Sequence, residues 1–314
     1  MTGRMSRHRP RLAISLGDPR GIGLEVTAGA LHQSLDAHLT VIGAQEQIAE
    51  VPADQRISVG SWRPASGAHG EERARAVLAG QLAGHALQRA AQLALDGSVD
   101  GIVTAPVEKH ALHAAGFPYP GQTEWLGELA GGVDVAMMLA AGTLRVVLVT
   151  THLALRDVPA VLTVERVVRC GRVTREALVK WFGIAAPRLV LCALNPHAGE
   201  QGLFGDEEAR ILRPAAEQLE AAGPLPADTV FVRALRGEFD AVLTPYHDVG
   251  MTAVKVAGFG RGVNVTLGLP FIRTSPDHGT AFDIAGRGVA DSGSMRAALE
   301  LAVELVVRRQ ESSR

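Results

Sequence analysis

The chain has few aromatic residues, few cysteines and no long hydrophobic run. Aromatic side chains make up 4% of its 314 residues, whereas hydrophobic residues as a whole reach 47%. An extensive core is therefore available, but it must be built from aliphatic side chains and alanine. Such a core is typical of α/β proteins with buried parallel strands. The length suits two moderate domains or one large α/β unit.

The absences also exclude several classes of protein. Cys170 and Cys192 are too few for a disulfide framework and lack the spacing of a metal site, so we expect two buried thiols. The apolar run Leu12–Leu16 is too short for a signal peptide, and no stretch approaches the roughly 20 apolar residues needed to cross a bilayer. A net charge of −2 gives no electrostatic footprint for nucleic acid or an anionic membrane. We expect a cytoplasmic protein that binds neither.

Predicted strands and helices alternate along the chain. Strands are predicted at Arg11–Leu16, Leu39–Gly43, Gly101–Pro106, Leu144–Thr150, Arg188–Leu194 and Ala241–Thr244, and helices from Leu24 and at Glu71–Asp96, Val164–Trp181, Asp206–Ala222 and Met295–Arg309. This order predicts a mostly parallel sheet with helices on both faces. Two segments rich in proline, glycine and polar residues, Val51–Gly70 and Ala222–Ala227, are predicted to be surface connections.

Polar residues cluster directly after several predicted strands. The clusters are Gly17–Gly23, Thr104–Lys109, Thr150–His152, Asn195–Glu200 and Pro245–Asp248. In open α/β sheets, ligands bind beyond the carboxyl ends of the strands. The five clusters together therefore predict one composite site, although each alone is a weak signal.

Three of these clusters contain a histidine: His152, His197 and His247. Imidazole is a good ligand for zinc and similar divalent ions, and three protein ligands with an open fourth position are typical of a catalytic metal site. A single histidine of this kind is more often a hydrogen-bonded loop or core residue, because the spacing matches no fixed metal motif. Their shared placement after strands favours the metal site.

The stretch from Tyr246 to Asp291 combines many glycines with ionisable residues and is predicted to be loops that form the wall of an active site. Within it, Lys255 and Arg273 are candidates for binding an anion. Lys255 lies between two valines and either reaches the solvent or serves a desolvated site. Thr123 and Asn264 are candidates for hydrogen bonds to a polar substrate, and each equally suits capping a helix or bracing a turn.

Two glycine-containing loops have the composition of nucleotide-binding segments. Gly17–Gly23 lacks the full G-x-G-x-x-G pattern, since Val26 replaces the last glycine, and is better interpreted as a tight turn. In the second loop, the small residues of His278-Gly279-Thr280-Ala281 allow an adenosine to approach the backbone, and Asp283 is placed to bond ribose hydroxyls. A plain surface turn is an equally good interpretation of the second loop.

Taken together, these motifs resemble the 4-hydroxythreonine-4-phosphate dehydrogenase family, the PdxA-type enzymes of pyridoxal 5′-phosphate biosynthesis. The resemblance runs from Leu16 nearly to Asp291. Its motifs are Leu16-Gly17-Asp18-Pro19, Thr104-Ala105-Pro106, Leu194–Glu200, Pro226-Ala227-Asp228-Thr229, and Gly258–Asn264 onward through Asp277–Ala281. So many matches in the same order along the chain make the resemblance specific.

The resemblance implies an NAD- or NADP-dependent, metal-assisted oxidation of the C3 hydroxyl of 4-phosphooxy-L-threonine. Decarboxylation then gives 3-amino-2-oxopropyl phosphate. It also implies a fold like isocitrate and isopropylmalate dehydrogenases, with two α/β/α domains and a cleft between them. The expected cofactor-binding domain is discontinuous, 1–125 plus 265–314. Residues 126–264 are expected to form the domain for substrate, metal and dimerisation.

The resemblance further implies roles for individual residues. The metal ligands are His152, His197 and His247, drawn from both subunits of a homodimer, with zinc as the first expectation and cobalt, magnesium or manganese as alternatives. The implied substrate contacts are Gln122, Thr123, Lys255, Asn264 and Arg273. The implied cofactor contacts are His278, Gly279, Thr280, Ala281 and Asp283. Lys255, Asp248 or a water molecule accepts the proton, and Asp283 favours NAD over NADP only weakly.

Two departures from the family pattern affect the expected substrate. Gln122 replaces the histidine usual in Gly-His-Thr-Glu, and glutamine cannot carry charge near neutral pH. Ala154 replaces a proline close to His152, a minor change. One alternative is therefore a paralogue acting on a related phosphorylated hydroxy acid such as 4-phosphooxy-threonate. Others are a dehydrogenase for another hydroxy acid or a dihydrodiol, and a catalytically silent binding protein.

Overall fold

The computed structural model describes residues 9–63 and 71–312. Its strands are β1 (Arg11–Ser15), β2 (His38–Gly43), β3 (Gln55–Ser58), β4 (Gly101–Thr104), β5 (Ala136–Ala141), β6 (Leu144–Leu148), β7 (Leu189–Cys192), β8 (Ala222–Leu225), β9 (Ala241–Thr244), β10 (Val263–Leu267) and β11 (Ile272–Pro276). Its α-helices are α1 (Gly23–Ala30), α2 (Gln45–Ile48), α3 (Glu71–Leu95), α4 (Lys109–Ala114), α5 (Gln122–Leu129), α6 (Val158–Val161), α7 (Val164–Lys180), α8 (Arg213–Gln218), α9 (Ala227–Leu235), α10 (His247–Gly258) and α11 (Gly293–Ser312). Within the described ranges, no helix has the length and apolar character needed to span a bilayer.

The chain divides into two compact units. Unit 1 comprises Met1–Gly121 and Phe271–Val307, and unit 2 comprises Gln122–Pro270 and Arg308–Arg314. Parts of the predicted cofactor domain, residues 1–8, 64–70 and 313–314, lie outside the described residues. The assignment of cofactor binding to one domain and metal binding to the other stays a prediction.

In unit 1, five parallel strands lie in the order β3-β2-β1-β4-β11. The long helix α3 packs against β1, β2 and β4 through a face rich in alanine and leucine, where Ala83, Leu87 and Ala90 are buried. Small side chains on this face allow the helix to pack closely on the strands. The aliphatic core expected from the lack of aromatic residues is present here.

In unit 2, the strand order is β10-β5-β6-β9-β7-β8, and β5 runs antiparallel to both of its neighbours. The prediction of a mostly parallel sheet is confirmed, and β5 is the exception among the pairings described. The cause is the two-residue turn Gly142-Thr143, which joins β5 directly to β6 and pairs Ala141 with Leu144. A positive φ of 58° at Gly142 is typical of hairpin turns, whose backbone twist matches that of the flanking strands.

The core of unit 2 is formed by aliphatic residues of its central strands and of α10. Leu139, Val146, Val190 and Val242 are at most 1% exposed, and Val254 of α10 is fully buried against them. Burying one such side chain contributes roughly 1.5–3 kcal/mol. This packing fixes the position of α10, whose first residue is His247.

Two segments predicted to be surface connections contain edge strands. Strand β3 pairs with β2 inside the segment 51–70, and β8 pairs with β7 inside the segment 222–227. Edge strands expose one side to solvent, so they tolerate polar residues and proline such as Pro224. That tolerance explains why their composition looked like that of loops.

The glycine-rich stretch from Tyr246 to Asp291 is also more regular than predicted, because it contains α10, β10 and β11. The prediction of continuous loops there is wrong, since buried residues such as Val254 and Val265 pack on the core. The helix predicted over Asp206–Ala222 is shorter than expected. A π-helical turn at Glu208–Leu212 precedes α8, and β8 begins at Ala222.

Candidate active site

The carboxyl ends of β6 and β9 bring two of the three predicted metal ligands together. These strands are parallel neighbours, so the segments that follow them begin at the same edge of the sheet. The Thr150 hydroxyl donates a 2.7 Å hydrogen bond to the Pro245 carbonyl and ties the two segments together. The rings of His152 and His247 then lie 5.7 Å apart between centroids, inclined by 43°. Two imidazoles at this separation are suited to binding one metal ion.

His247 is held by the residue next to it. Its Nδ1 lies 2.7 Å from the Asp248 Oδ1, and the imidazole side chain is 34% exposed. A carboxylate at Nδ1 fixes the ring orientation and leaves Nε2 as the nitrogen for a metal ion, an arrangement common around zinc-bound histidines. The donor set at this edge therefore fits a divalent transition metal. Asp248 itself is largely exposed and acts on the ring from outside.

His197 lies in an unusual left-handed turn after β7. The five residues from His197 to Gln201 all have positive φ, and four of them are not glycine. A left-handed conformation costs an L-residue roughly 1–2 kcal/mol, so the surrounding structure must stabilise the turn. Like His247, His197 has its Nδ1 beside a carboxylate, 3.0 Å from Glu200 Oε2. The His197 side chain is 67% exposed.

Glu208 stabilises the start of this left-handed turn. It is only 3% exposed, and its Oε1 accepts backbone N–H groups of Leu194 and Asn195 at 2.9 and 2.7 Å. Its Oε2 accepts the Asn195 side-chain amide at 2.9 Å. A buried carboxylate with three donors fixes the chain where the left-handed turn begins. Sequence reasoning missed Glu208, although the acidic pair that it forms with Glu207 shortly after His197 was a usable signal.

The three predicted metal ligands do not all meet within one chain. No group of three or more histidine, cysteine or acidic side chains in the described part of the chain is arranged to hold a metal ion. The structure brings His152 and His247 together, and His197 does not join them. The sharing of ligands between two subunits, implied by the resemblance, stays a prediction.

In unit 2, two of the predicted substrate residues lie close to each other. Thr123 of α5 is 5% exposed, and its hydroxyl lies 3.3 Å from that of Thr266 in β10. Asn264 is two residues before Thr266, so both side chains are on the same face of the strand. The Asn264 Oδ1 is buried and has no hydrogen-bond partner within the described residues. A buried acceptor of this kind is costly unless a ligand supplies a donor.

Other predicted substrate residues differ in exposure. Gln122 is the first residue of α5, next to Thr123, and is partly exposed. Lys255 is exposed near the end of α10, so its ammonium is not desolvated in the single chain. Glu124, which sequence reasoning passed over, has a buried Oε2 without a hydrogen-bond partner in the described structure. A buried carboxylate oxygen next to Gln122 and Thr123 adds a second atom that a ligand can satisfy.

Arg273, the predicted anion contact in unit 1, is 2% exposed in β11. Its Nε and Nη2 donate to the Thr104 hydroxyl at 3.2 and 2.7 Å. Thr104 is the last residue of β4, which pairs with β11. The parallel pairing therefore places this cation in a buried position close to a strand end.

The predicted cofactor loop of unit 1 also has a buried unsatisfied atom. The His278 Nδ1 lies 3.1 Å from the Gly279 carbonyl, whereas its Nε2 is buried and has no hydrogen-bond partner within residues 9–63 and 71–312. Asp283 is exposed, and Ala281 has a positive φ of 44°. An unsatisfied imidazole nitrogen and an exposed carboxylate in the same loop fit a polar ligand such as a nucleoside.

The two cysteines take no part in this chemistry. Both are buried, and burial raises the pKa of the Cys170 and Cys192 thiols to about 12. Because the thiolate is the reactive and metal-binding form, neither thiol is a nucleophile or a ligand near neutral pH.

Comparison with known proteins decides the family. Residues 24–302 match the family described as Pyridoxal phosphate biosynthetic protein PdxA. The chain belongs to this family.

Individual relatives of this PdxA-family chain carry two activity names. It is 44% identical to a 4-hydroxythreonine-4-phosphate dehydrogenase from Caulobacter vibrioides, covering 95% of this chain and 98% of the relative. It is also 43% identical to a D-threonate 4-phosphate dehydrogenase from Cupriavidus necator, covering 97% and 100%. The resemblance inferred from the motifs is confirmed, and with it the expectation of a dehydrogenase.

Solved structures agree with the predicted fold class. A crystal structure of 4-hydroxythreonine-4-phosphate dehydrogenase from Klebsiella pneumoniae matches with a TM-score of 0.82 and 38% identity, covering 96% of this chain and 99% of that one. A β-decarboxylating dehydrogenase from Thermococcus kodakarensis matches with a TM-score of 0.50 at 15% identity, covering 94% and 83%. The second match concerns the fold alone. It agrees with the α/β architecture predicted from the sequence.

Proposed function

We propose that the chain is a metal-assisted, NAD-dependent dehydrogenase that oxidises the C3 hydroxyl of 4-phosphooxy-L-threonine. Loss of CO2 then gives 3-amino-2-oxopropyl phosphate. The observation that carries the proposal is the pair of imidazoles at the carboxyl ends of β6 and β9, His152 and His247. The name of the Caulobacter vibrioides relative supports the choice of substrate.

In this proposal, His152, His197 and His247 hold a divalent metal ion, with zinc as the first candidate on ligand grounds. When bound, the ion polarises the reacting oxygen, and the nicotinamide accepts a hydride. Asp248 lies 2.7 Å from the His247 Nδ1, so its role is to orient that ring. In this proposal Asp248 therefore orients a metal ligand and is not assigned as the proton acceptor.

The phosphorylated substrate is held by groups that are buried or charged. Thr123 and Asn264 offer a hydroxyl and an unsatisfied carbonyl oxygen, while Gln122 supplies an amide. Arg273 supplies a permanent positive charge for the phosphate or carboxylate. Lys255 lies about two helical turns beyond His247 on α10 and is the first candidate to accept the hydroxyl proton, a role that it performs as the neutral amine.

For the cofactor, we propose NAD bound by the loop His278–Asp283. The unsatisfied His278 Nε2 is available to the nucleoside, and the exposed Asp283 carboxylate is suited to ribose hydroxyls. A 2′-phosphate would place negative charge beside that carboxylate, which disfavours NADP. Measuring kcat/KM with each nucleotide tests this choice, and a higher value with NADP would contradict it.

The functional test is turnover of authentic 4-phosphooxy-L-threonine, followed by NADH absorbance. We expect activity that a chelator abolishes and zinc or cobalt restores. Activity that persists after exhaustive chelation would contradict the metal's role. Turnover of only an unphosphorylated hydroxy acid would contradict the proposed substrate.

The shared metal site has its own test in subunit mixing. We propose a homodimer in which His197 of one subunit completes the site formed by His152 and His247 of the other. His197→Ala and His247→Ala are each expected to be inactive, whereas refolding the two together restores one intact site per mixed dimer. Without sharing, every site in the mixture lacks a ligand, so an inactive mixture would contradict the arrangement.

A second candidate function is oxidation of D-threonate 4-phosphate, favoured by Gln122 in place of the usual histidine and by the Cupriavidus necator relative. Comparing kcat/KM for the two phosphorylated acids separates the candidates. Gln122→His is the matched variant. If Gln122 selects the threonate, the variant shifts the ratio toward 4-phosphooxy-L-threonine.

A further inference from the structure

The glycine-rich loop after β1 contacts the proposed cofactor loop, within unit 1. The backbone N–H of Ile22 donates to the Thr280 carbonyl at 3.0 Å. Gly21 lies so close that a Cβ there would come within 2.8 Å of the same oxygen, so only glycine fits without movement. These contacts fix the cofactor loop at its beginning.

A second contact joins Arg20 to Phe282. The guanidinium lies 4.9 Å from the ring centroid, within the range of a cation–π interaction. Asp18, which is 1% exposed, also holds the guanidinium, accepting hydrogen bonds from Arg20 Nε at 3.0 Å and Nη2 at 2.7 Å. Because Asp18 fixes Arg20, the position of the Phe282 ring is defined by β1 and the loop after it.

Glu25 makes the third contact, at Gly286 and Gly288, which lie shortly beyond the loop His278–Asp283. Its carboxylate accepts the backbone N–H groups of Gly286 and Gly288, the latter at 2.9 Å. Both glycines have positive φ, of 75° and 66°. The N–H groups of the two glycines converge on a concave anion-binding surface of the kind found in such turns, and here a carboxylate of the protein fills it.

This geometry excludes one role for the two loops and favours another. A cofactor phosphate cannot occupy the concave surface at Gly286 and Gly288 while Glu25 is there, because two anions would compete for the same donors. In the first loop, the Arg20 guanidinium is already paired with the carboxylate of Asp18. The contacts instead hold the chain at Thr280 and again at Gly286 and Gly288. Asp283 thus lies between two fixed points of the chain, and His278 lies two residues before the first of them.

We infer that Glu25 is a positioning residue for the cofactor. It acts through the loop and does not touch the nucleotide. The inference rests on the proposed function, since it assumes that the loop containing His278 and Asp283 binds NAD. Ordering a binding loop in advance lowers the entropic cost of binding. Loss of the Glu25 carboxylate should therefore weaken cofactor binding and leave the metal and substrate groups of unit 2 intact.

The experiment compares Glu25→Ala and Glu25→Gln with Glu50→Gln, a change at an exposed carboxylate of the same unit. We expect Glu25→Ala to raise both the Kd and the KM for NAD by about tenfold, the loss of roughly one charge-assisted hydrogen bond. The KM for the phosphorylated substrate and kcat at saturating NAD should be unchanged. Glu25→Gln keeps the size of the side chain and guards against misfolding, and it should weaken NAD binding in the same direction.

Hydrogen exchange in the apo protein supplies a readout that does not depend on activity. We expect faster exchange at the amides of Gly286 and Gly288 in both Glu25 variants and no change in Glu50→Gln. Wild-type NAD affinity in Glu25→Ala, with binding by the parent protein intact, would overturn the inference. If the parent protein does not bind NAD, the proposed function fails instead, and the exchange rates still decide whether Glu25 orders the loop.

Discussion

The same kind of ion pair joins the amino ends of neighbouring strands in both units, whereas the carboxyl ends carry different groups. In unit 1, Arg11 at the start of β1 pairs with Asp100, which directly precedes β4. In unit 2, Arg188 directly precedes β7 and pairs with Asp240, which directly precedes β9. In both pairs the aspartate also accepts the backbone N–H of its arginine, at 2.8 and 2.7 Å. The same side-chain pair thus joins neighbouring parallel strands at their amino ends in both units.

At the carboxyl ends the units share a framework but carry different groups. Pro106 in unit 1 accepts the backbone N–H of Asp18, and Pro245 in unit 2 accepts the hydroxyl of Thr150. In unit 1 the following segments form glycine-containing loops held by backbone contacts. In unit 2 they carry imidazoles, among them His152. The same kind of ion pair therefore stabilises the amino ends in both units, whereas the candidate ligand groups follow the carboxyl ends.

The largest expected effect separates the chemistry of the two units. His247→Ala should lower turnover by about a hundredfold or more, because it removes a proposed metal ligand, and loss of even a residue that supports such a ligand costs 10–100-fold. The Kd for NAD should stay at the wild-type value. NADH absorbance measures turnover, and calorimetry measures the Kd for NAD. If the variant also loses NAD binding, the proposal that unit 2 provides the metal ligands and unit 1 binds NAD independently is wrong.

A second prediction concerns stability at the carboxyl edge of unit 1. Arg20→Ala should lower the free energy of unfolding by about 3 kcal/mol, because it leaves the fully buried Asp18 side chain without its cation. The hydrogen bonds that Arg20 donates to Asp18 raise the pKa of Arg20, so the guanidinium stays charged. Urea denaturation measures the change.

Arg63→Ala is the control, since Arg63 is 81% exposed in its contact with Glu46 and should matter by less than about 0.5 kcal/mol. If Arg20→Ala and Arg63→Ala lowered the free energy of unfolding equally, burial of the ion pair would not be the cause of the effect.

The amino-edge pairs give a smaller effect and a pH dependence. Asp100→Asn and Asp240→Asn should each cost about 1–2 kcal/mol of stability at pH 7. Burial raises the pKa of Asp240, but hydrogen bonds from the Arg188 side chain and N–H outweigh it, so the pKa lies below its usual value. A carboxylate whose pKa is lower in the folded state than in the unfolded state stabilises the protein at pH values above its unfolded pKa. This stabilisation is lost as the pH falls through the folded pKa.

The difference between the wild type and Asp240→Asn should therefore shrink below about pH 4. Denaturation curves over a range of pH provide the measurement. A difference that grows in acid would show that the ionised carboxylate is not the stabilising group.

The smallest expected effect concerns the two cysteines, which should not react with an alkylating reagent in the native protein. Because burial raises the pKa of both thiols to about 12, native protein at pH 8 should take up no alkylating reagent, and unfolded protein should take up two equivalents. Mass spectrometry counts the adducts. Labelling of Cys192 alone in the native state would mean that the end of β7 opens more readily than its burial suggests.

Much of the fold could be predicted from the sequence, because buried parallel strands have continuous aliphatic runs. Strand β9 and most of α3 lie where the pattern placed them. Edge strands β3 and β8 were missed, since one exposed side removes the apolar signal. The helix α10 was hidden by glycines that elsewhere mark loops.

The candidate site was predictable only in part. His152 and His247 were identified because polar residues after parallel strands converge, and the structure pairs their rings. Glu208 and Glu25 were not identified. Their partners are backbone N–H groups, which carry no signature in the sequence. Side chains that bind a ligand can be inferred from residue type, whereas side chains that position a loop depend on where the main chain runs.

The left-handed turn at His197 has a consequence for protein engineering. Transplanting that histidine by itself into another scaffold would place it on ordinary right-handed backbone and aim the imidazole elsewhere. The portable unit is the whole segment from Asn195 to Glu208, in which Glu208 binds the backbone and side chain of Asn195 just before the left-handed turn. Designers who borrow this ligand would have to borrow its anchor as well.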